Sequence, residues 1–168
     1  MAVQLDVWYT HLMTHTSSEP QPLDELDDAL VAVRHVLQRP AYRRRITAGT
    51  GAVELATLRL LRAVQRWPGA PSIGDVAEVL IIDPSTASRM VDRALAGGLL
   101  DKRACADDGR RARLHLTEQG DAVLAAATRQ RRTVLAEVTA DWDTDDLQRL
   151  VGLLGELLEG FDRVTGDA

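Results

Sequence analysis

The sequence predicts a mainly α fold, a winged helix-turn-helix with a two-stranded β-wing and with further helices on both sides. Two short amphipathic segments, 73–80 and 84–96, follow each other closely, as the two helices of a helix-turn-helix do. An alternating apolar and basic segment with a Gly-containing loop comes next, which is typical of a β-hairpin. Only 4% of the 168 residues are aromatic, and the abundance of Leu, Ala and Arg favours helix over an all-β architecture.

The composition is that of one ordinary globular folding unit, because 45% of the residues are hydrophobic and 27% are charged. No apolar run reaches the roughly 18 to 20 residues needed to cross a bilayer, and no secretion signal is visible at the N-terminus. We therefore expect a cytoplasmic protein without membrane contact. Cys105 is the single cysteine, and His11 and His15 offer only two ligands, so we expect no disulfide, metal or cofactor.

Helices are expected to flank the helix-turn-helix. Residues 1–21 form an arm that stays unassigned, because its apolar residues fit strand and helix spacing equally. From 22 to 38, leucine and valine recur at steps of three and four, which predicts an amphipathic helix that ends before Pro40. A second helix is expected over 52–67, with Val53, Ala56, Leu60, Leu61 and Val64 facing inward and with Pro68-Gly69 as its end.

Local capping signals mark the helix-turn-helix and the elements C-terminal to it. Ser72 and Asp75 have the spacing of a capping box, and Asp83 precedes Pro84 as an N-cap precedes the first helical residue. The helix that starts at Pro84 ends at Gly97-Gly98. A hairpin is then expected from Leu99 to Leu116, Thr117 caps a helix from 118 to about 140, and Thr144 starts the last helix.

The net charge of −5 argues at first against a nucleic-acid partner. Residues 84–115, however, carry seven basic and four acidic side chains, which leaves this segment at +3 and the remainder at −8. A basic patch on an acidic body is compatible with a DNA-binding surface.

The segment Pro84–Ala96 is the candidate recognition helix. Ala87, Val91, Ala94 and Leu95 are expected to face inward. A small, polar and cationic face would then point outward and fit the major groove, with Arg89 reaching a guanine edge. The candidate DNA contacts on this helix are Ser85, Thr86, Ser88, Arg89 and Arg93. The alternative is that they are only solvated residues of a surface helix.

The hairpin adds cations beside that helix. Arg110, Arg111 and Arg113 are candidate contacts to the DNA backbone or to a minor groove, and Asp108 is placed to orient Arg110.

Two further features of the sequence each leave two interpretations open. Arg43, Arg44 and Arg45 either touch phosphates at the start of the second helix or are solvated, and Cys105 is either a redox-sensitive thiol or a neutral loop residue.

Four segments of the chain form a further pattern: 72–80, 83–93, 98–103, and Asp108-Gly-Arg110 with 113–120. They resemble, in this order, the two helices, the first wing strand and the wing signature of the MarR family of bacterial regulators, and the resemblance extends over residues 50–140. The resemblance implies a role for Arg110 as a minor-groove reader with Asp108 as its partner. It also implies a small aromatic effector bound in the crevice between the dimer helices and the DNA-binding lobe.

The terminal helices are more apolar than a small DNA-binding core can cover, which indicates an interface with a second copy of the chain. We accordingly expect dimerisation helices over 22–51 and 118–168 around a winged helix-turn-helix lobe over 52–117. The candidate interface residues are Leu23, Leu26, Leu30, Leu150, Leu154, Leu157, Leu158 and Phe161.

The expected function is a sequence-specific transcriptional regulator, a ligand-responsive homodimeric repressor that binds a pseudo-palindromic operator in double-stranded DNA. The alternative is a winged-helix module for protein interaction or dimerisation that does not bind DNA. The arginine-rich wing favours the first. We expect no enzymatic activity, because no nucleophile and base or paired carboxylates are recognisable.

Overall fold

The computed structural model describes residues 22–51, 53–104 and 112–166. In chain order they form helices α1 (Pro22–Gln38), α2 (Pro40–Thr47), α3 (Leu55–Arg66), α4 (Ile73–Leu80) and α5 (Pro84–Ala96), strands β1 (Leu100–Ala104) and β2 (Ala112–Leu116), and helices α6 (Glu118–Val138) and α7 (Thr144–Thr165). The mainly α winged helix-turn-helix fold is thereby confirmed. Among these residues no helix is both long enough and apolar enough to cross a membrane.

The core lies where α3 meets the helix-turn-helix, the wing and α6. Leu60 and Leu61 of α3 are fully buried, together with Val91 of α5 and Leu114 of β2. Because α3 packs against four elements, its buried residues spread widely around the helix axis and include Leu58 and Ala63. The predicted inward position of Ala56 is wrong, since Ala56 is exposed and Leu58 is buried in its place.

The caps predicted for the central helices are present. Ser72 accepts a hydrogen bond from the Asp75 amide while the Asp75 carboxylate accepts one from the Ser72 amide, which completes a capping box on α4. Asp83 caps α5 by accepting from the Thr86 amide, and Thr117 caps α6 by accepting from the Gly120 amide. The last helix has Asp143 as its N-cap, so Thr144 is its first residue.

The N-terminal half departs from the prediction at two places. Pro40 does end α1, but it also opens the short helix α2 as one of its first residues, where a missing N–H costs nothing. The predicted helix over 52–67 begins only at Leu55, with Glu54 as its N-cap, and ends at Arg66. Arg43, Arg44 and Arg45 consequently lie on α2 and not at the start of the next helix.

The wing is an antiparallel pair in which Leu100 opposes Leu116 and Lys102 opposes Leu114. Its buried residues, Leu100 and Leu114, anchor it on the core. The Leu114 amide also donates to the Pro71 carbonyl at 2.9 Å, in the loop that leads into α4. The wing is therefore tied to the helix-turn-helix by backbone as well as by side chains.

Candidate nucleic-acid interface

The N-terminus of α5 is held by a hydrogen-bonded cap. The Asp83 Oδ1 atom accepts from the Ser85 hydroxyl at 2.5 Å and from the Thr86 amide at 2.9 Å. Both bonds favour the charged carboxylate, so they hold the pKa of Asp83 far below its ordinary value. Ser85 is a predicted DNA contact. Its hydroxyl donates its proton to Asp83, so its oxygen can still accept a hydrogen bond from another group.

The two faces of α5 are oriented as predicted. Ala87, Val91 and Ala94 are buried in the core, and Leu95 is half-buried. Arg89 and Arg93 are exposed on the opposite side. The complete outward face is Ser85, Thr86, Ser88, Arg89, Asp92 and Arg93, in which Thr86 and Ser88 are half-buried. The helix therefore offers solvent a narrow surface of hydroxyl groups with two guanidinium groups.

Arg89 is bound within its own helix. Its Nη2 donates to the Thr86 Oγ1 at 3.2 Å, which directs the guanidinium toward the helix N-terminus. Four of the five N–H donors of a guanidinium remain beyond that one bond. Arg89 is thus placed on the leading end of the helix with donors to spare.

The turn between α4 and α5 contains a residue that the sequence did not single out. Ile81 has the left-handed conformation, with φ 53° and ψ 54°, and its side chain is 92% exposed. Left-handed backbone is strained by about 1 to 2 kcal/mol for an L-residue and is rare for a β-branched one. Two backbone hydrogen bonds offset this strain. The Ile81 amide donates to the Glu78 carbonyl and the Ile82 amide donates to the Ala77 carbonyl, and together they close the turn.

Arg113 is not a free cation on the wing. Its Nη1 donates to the Ala70 carbonyl at 3.1 Å and to the Asp75 Oδ2 at 3.2 Å, and about one third of either side chain is exposed. The predicted basic face of β2 is thus partly turned inward, since Arg113 and His115 are both half-buried. Arg113 therefore links the wing to the helix-turn-helix. Its predicted contact with DNA stays a prediction.

The wing tip falls outside the described residues, and with it Asp108, Arg110, Arg111 and Cys105. The strand that enters the tip exposes Lys102 and Arg103, and Arg103 pairs loosely with Asp101 at 3.7 Å. These two cations extend the positive surface beside α5.

On α2, the three consecutive arginines do not share one environment. Arg45 makes a two-pronged ion pair with Glu137 of α6, with N–O distances of 2.7 and 2.6 Å. The pair raises the pKa of Arg45 and lowers that of Glu137. Arg43 and Arg44 are exposed. The sequence offered a phosphate contact or a merely solvated residue as the two interpretations of Arg45, and its ion pair with Glu137 fits neither.

The terminal helices expose their apolar faces. Neither α1 nor α7 contains a buried residue. Leu23 is 77% exposed and Leu158 is 64% exposed. Of the remaining candidate interface residues, Leu30 and Leu157 are half-buried, and Leu26, Leu150, Leu154 and Phe161 are exposed.

Residues 53–111 match a sequence model of the MarR family. The fold is similar to that of a MarR family protein from Bacillus stearothermophilus, with a TM-score of 0.74 and 19% identity over 83% of this chain and 94% of that one. It is also similar to a MarR family transcriptional regulator from Silicibacter pomeroyi, with a TM-score of 0.65 and 25% identity over 86% and 97%. A third similar structure is RV1404 from Mycobacterium tuberculosis, with a TM-score of 0.69 and 24% identity over 86% and 97%.

The match and the fold agree in the same part of the chain. The matched segment contains α3, both helices of the helix-turn-helix and the first wing strand. The chain is therefore similar to the MarR family in its winged helix-turn-helix lobe, the part that the family model matches.

Proposed function

We propose that the chain is a transcriptional regulator that binds double-stranded DNA as a homodimer, with α5 in the major groove. The observation that carries the proposal is the outward face of α5, where Arg89 and Arg93 lie among small hydroxyl side chains at a capped helix end. A family relative of similar fold is described as a transcriptional regulator, which supports the same class of function.

The size and charge of that face suit the groove. Small side chains let the helix backbone lie deep in a groove about 12 Å wide, and arginine is the usual partner of guanine there. Ser85, Thr86 and Ser88 then serve as short-range contacts to bases or phosphates. Arg89 is the proposed base reader, because it lies nearest the helix N-terminus, which enters the groove first in helix-turn-helix proteins.

The wing is proposed to add contacts to the flanking DNA. Arg110 and Arg111 are its proposed contacts and Asp108 the support of Arg110, a role that rests on the wing signature in the sequence. The exposed Lys102 and Arg103 lie at the root of the same hairpin and can neutralise phosphates. Arg113 contributes by holding the wing in place against α4.

The homodimer is proposed from the exposed apolar faces of α1 and α7. Apolar residues exposed along two helices that contain no buried residue mark an interface. A closed two-fold pair is the commonest way for identical chains to cover such a surface. Two-fold symmetry would present two α5 helices to one side of a duplex, so the operator is proposed to be pseudo-palindromic.

We further propose a repressor that responds to a small effector. An effector that binds two spacings of the α5 helices with different affinity would shift the population between them. A coupling of about 1 to 3 kcal/mol would change DNA affinity by roughly 5- to 150-fold.

The test is the substitution Arg89→Ala, measured by fluorescence anisotropy on a selected specific duplex and on random duplex. Loss of a bidentate base contact should weaken specific binding by about 1 to 3 kcal/mol and leave random DNA little affected. Arg129→Ala, an exposed arginine on α6, is the matched control and should change neither. Equal losses on both duplexes would reassign Arg89 to the phosphates, and no DNA binding by the wild type would refute the proposal.

A further inference from the structure

Thr86 lies between the carboxylate that caps α5 and the guanidinium that is proposed to read DNA bases. Its backbone amide donates to the Asp83 Oδ1 at 2.9 Å, and its hydroxyl oxygen accepts from the Arg89 Nη2 at 3.2 Å. The Thr86 side chain is half-buried, whereas Arg89 is exposed. A hydroxyl on the capped first turn of the helix thus holds the far end of a long side chain.

The Thr86 hydroxyl can serve two charged neighbours at once, because a hydroxyl has one proton and two lone pairs. One lone pair accepts from Arg89, which leaves the proton for Asp83. The pKa of Asp83 is lowered by the Ser85 hydroxyl first and by the Thr86 hydroxyl next, as bonds to the charged carboxylate require. Hydrogen bonds in such a chain polarise one another, and a charged group at each end strengthens them.

This chain of hydrogen bonds offsets an unfavourable position of the Arg89 guanidinium. The bond to Thr86 directs it toward the N-terminus of α5, where the helix dipole is positive and disfavours a cation. Asp92, three residues further along α5, is an alternative partner in the opposite direction. Both side chains belong to the described part of the chain, and Arg89 forms no ion pair with Asp92. The Asp83 carboxylate, reached through Thr86, supplies negative charge at the helix end instead.

Arg93 provides a comparison on the same face of the helix. It lies one turn beyond Arg89 and is exposed. Its guanidinium makes no hydrogen bond or ion pair with any residue that the structure describes. Arg93 therefore keeps its rotamer freedom, which suits a phosphate contact of variable geometry. A bidentate contact to a base requires a guanidinium plane that is held in place, and Arg89 is the better held of the two.

We propose that Thr86 is a positioning residue: its hydroxyl links Asp83 to the Arg89 guanidinium and holds that group ready for a guanine edge before DNA arrives. The base contact in this inference rests on the proposed function, whereas the order of the free side chain does not depend on DNA. A side chain that is ordered in advance loses less conformational entropy on binding. The effect of the Thr86 hydroxyl on DNA affinity should therefore require Arg89, which a direct contact of Thr86 with DNA would not.

The positioning is tested first without DNA, by ¹⁵N relaxation of the Arg89 Nε–H group in the full chain. Thr86→Val removes the hydroxyl, keeps the shape of the side chain and leaves the backbone amide bonded to Asp83, while Thr86→Ser keeps a hydroxyl. The order parameter of the Arg89 Nε–H group should fall in Thr86→Val and return to the wild-type value in Thr86→Ser. Equal order parameters in wild type and Thr86→Val would overturn the positioning role, whatever the chain does with DNA.

The second arm measures binding by fluorescence anisotropy on the selected specific duplex and on random duplex. Thr86→Val should weaken specific binding about three- to tenfold and random binding by less than about twofold, and Thr86→Ser should recover the loss. In the Arg89→Ala background, Thr86→Val should change specific binding by less than about twofold, because the group that it positions is gone. Thr133→Val is the matched control, since Thr133 is exposed on α6 and bonds to the Arg129 carbonyl, and it should affect neither duplex.

The outcomes separate this inference from the proposed function. Equal losses from Thr86→Val with and without Arg89 would assign Thr86 to a direct DNA contact and overturn the positioning role, while the DNA-binding function would stand. An unchanged affinity of Thr86→Val for the specific duplex, or a loss that Thr86→Ser does not recover, would overturn it in the same way. A wild type that binds no DNA would refute the proposed function and, with it, the base contact for which Thr86 is proposed to prepare Arg89.

Discussion

The Arg113 guanidinium on the second wing strand lies 3.2 Å from the Asp75 carboxylate that closes the capping box of α4. The same Asp75 oxygen accepts from the Ser72 amide at 2.8 Å. One carboxylate thus joins the wing to the first helix of the helix-turn-helix. The wing root and α4 should accordingly move as one body when the lobe tilts.

The first prediction concerns the strength of that link. In a double-mutant cycle with Arg113→Gln and Asp75→Asn, we expect a coupling of roughly 0.5 to 1 kcal/mol in the free energy of unfolding, because a pair one third exposed is partly screened. The cycle cancels the separate loss of the α4 cap, which Asp75→Asn also causes. Urea titrations of the four proteins give the value, and strictly additive losses would show that the contact contributes nothing.

The second prediction concerns pH and the cap of α5. The pKa of Asp83 is lowered in the folded chain, so its stabilising contribution is complete above its ordinary pKa of 3.8 and is lost as pH falls below that value. Asn also caps helices but has no charge to lose. The wild type should therefore exceed Asp83→Asn in urea midpoint by more at pH 7 than at pH 3. A difference that is the same at both pH values would contradict the hydrogen-bonded carboxylate as its source.

The third prediction uses the close approach of Gly120 to Leu99, in the connection between α5 and β1. A Cβ at Gly120 would collide with the Leu99 backbone carbonyl, which already accepts a hydrogen bond from the Thr117 amide at 3.2 Å. Gly120→Ala should therefore lower the free energy of unfolding by about 1 to 3 kcal/mol, as overpacking does. Gly74→Ala is the control, because its Cβ meets only the Ser72 Oγ at 3.6 Å and should be neutral or stabilising by up to about 1 kcal/mol. Similar changes in both variants would show that the backbone gives way at Gly120.

The fourth prediction concerns assembly. Leu154 and Leu158 lie one turn apart on the exposed apolar face of α7, so changing both to Asp should convert the proposed dimer to a monomer in analytical ultracentrifugation. Leu154 is 42% and Leu158 is 64% exposed in the single chain, so the lobe should stay folded. Arg149→Asp, on the opposite face of α7, is the control and should remain dimeric. A wild-type chain that sediments as a monomer, or a double variant that stays dimeric, would contradict the interface.

Local signals in the sequence predicted the helix-turn-helix well. Asp83, Pro84 and the glycine pair at 97–98 act within a few residues of the helix ends that they set, so the bounds of α5 can be deduced from them. The short helix α2 was missed because Pro40 ends one helix and starts the next, and a proline alone signals only the first of these.

Tertiary partners account for the parts that the sequence did not predict. Arg113 lies between apolar residues in an alternating strand, the position expected of an exposed cation. Only the fold brings it into contact with Asp75, which is 38 residues away in the chain. The hydrogen bond from Arg62 to Thr128 has the same origin, since the two residues are 66 positions apart in the chain.

Sequence-specific binding of DNA by a two-fold dimer is tested most directly by selection. The purified chain is incubated with a library of random duplexes, and the bound fraction is recovered and sequenced over several rounds. The account predicts enrichment of an inverted repeat whose half-sites are about one helical turn apart, roughly 34 to 36 Å, because the two α5 helices enter successive major grooves. Bound DNA without an enriched motif, or no recovered DNA at all, would contradict it.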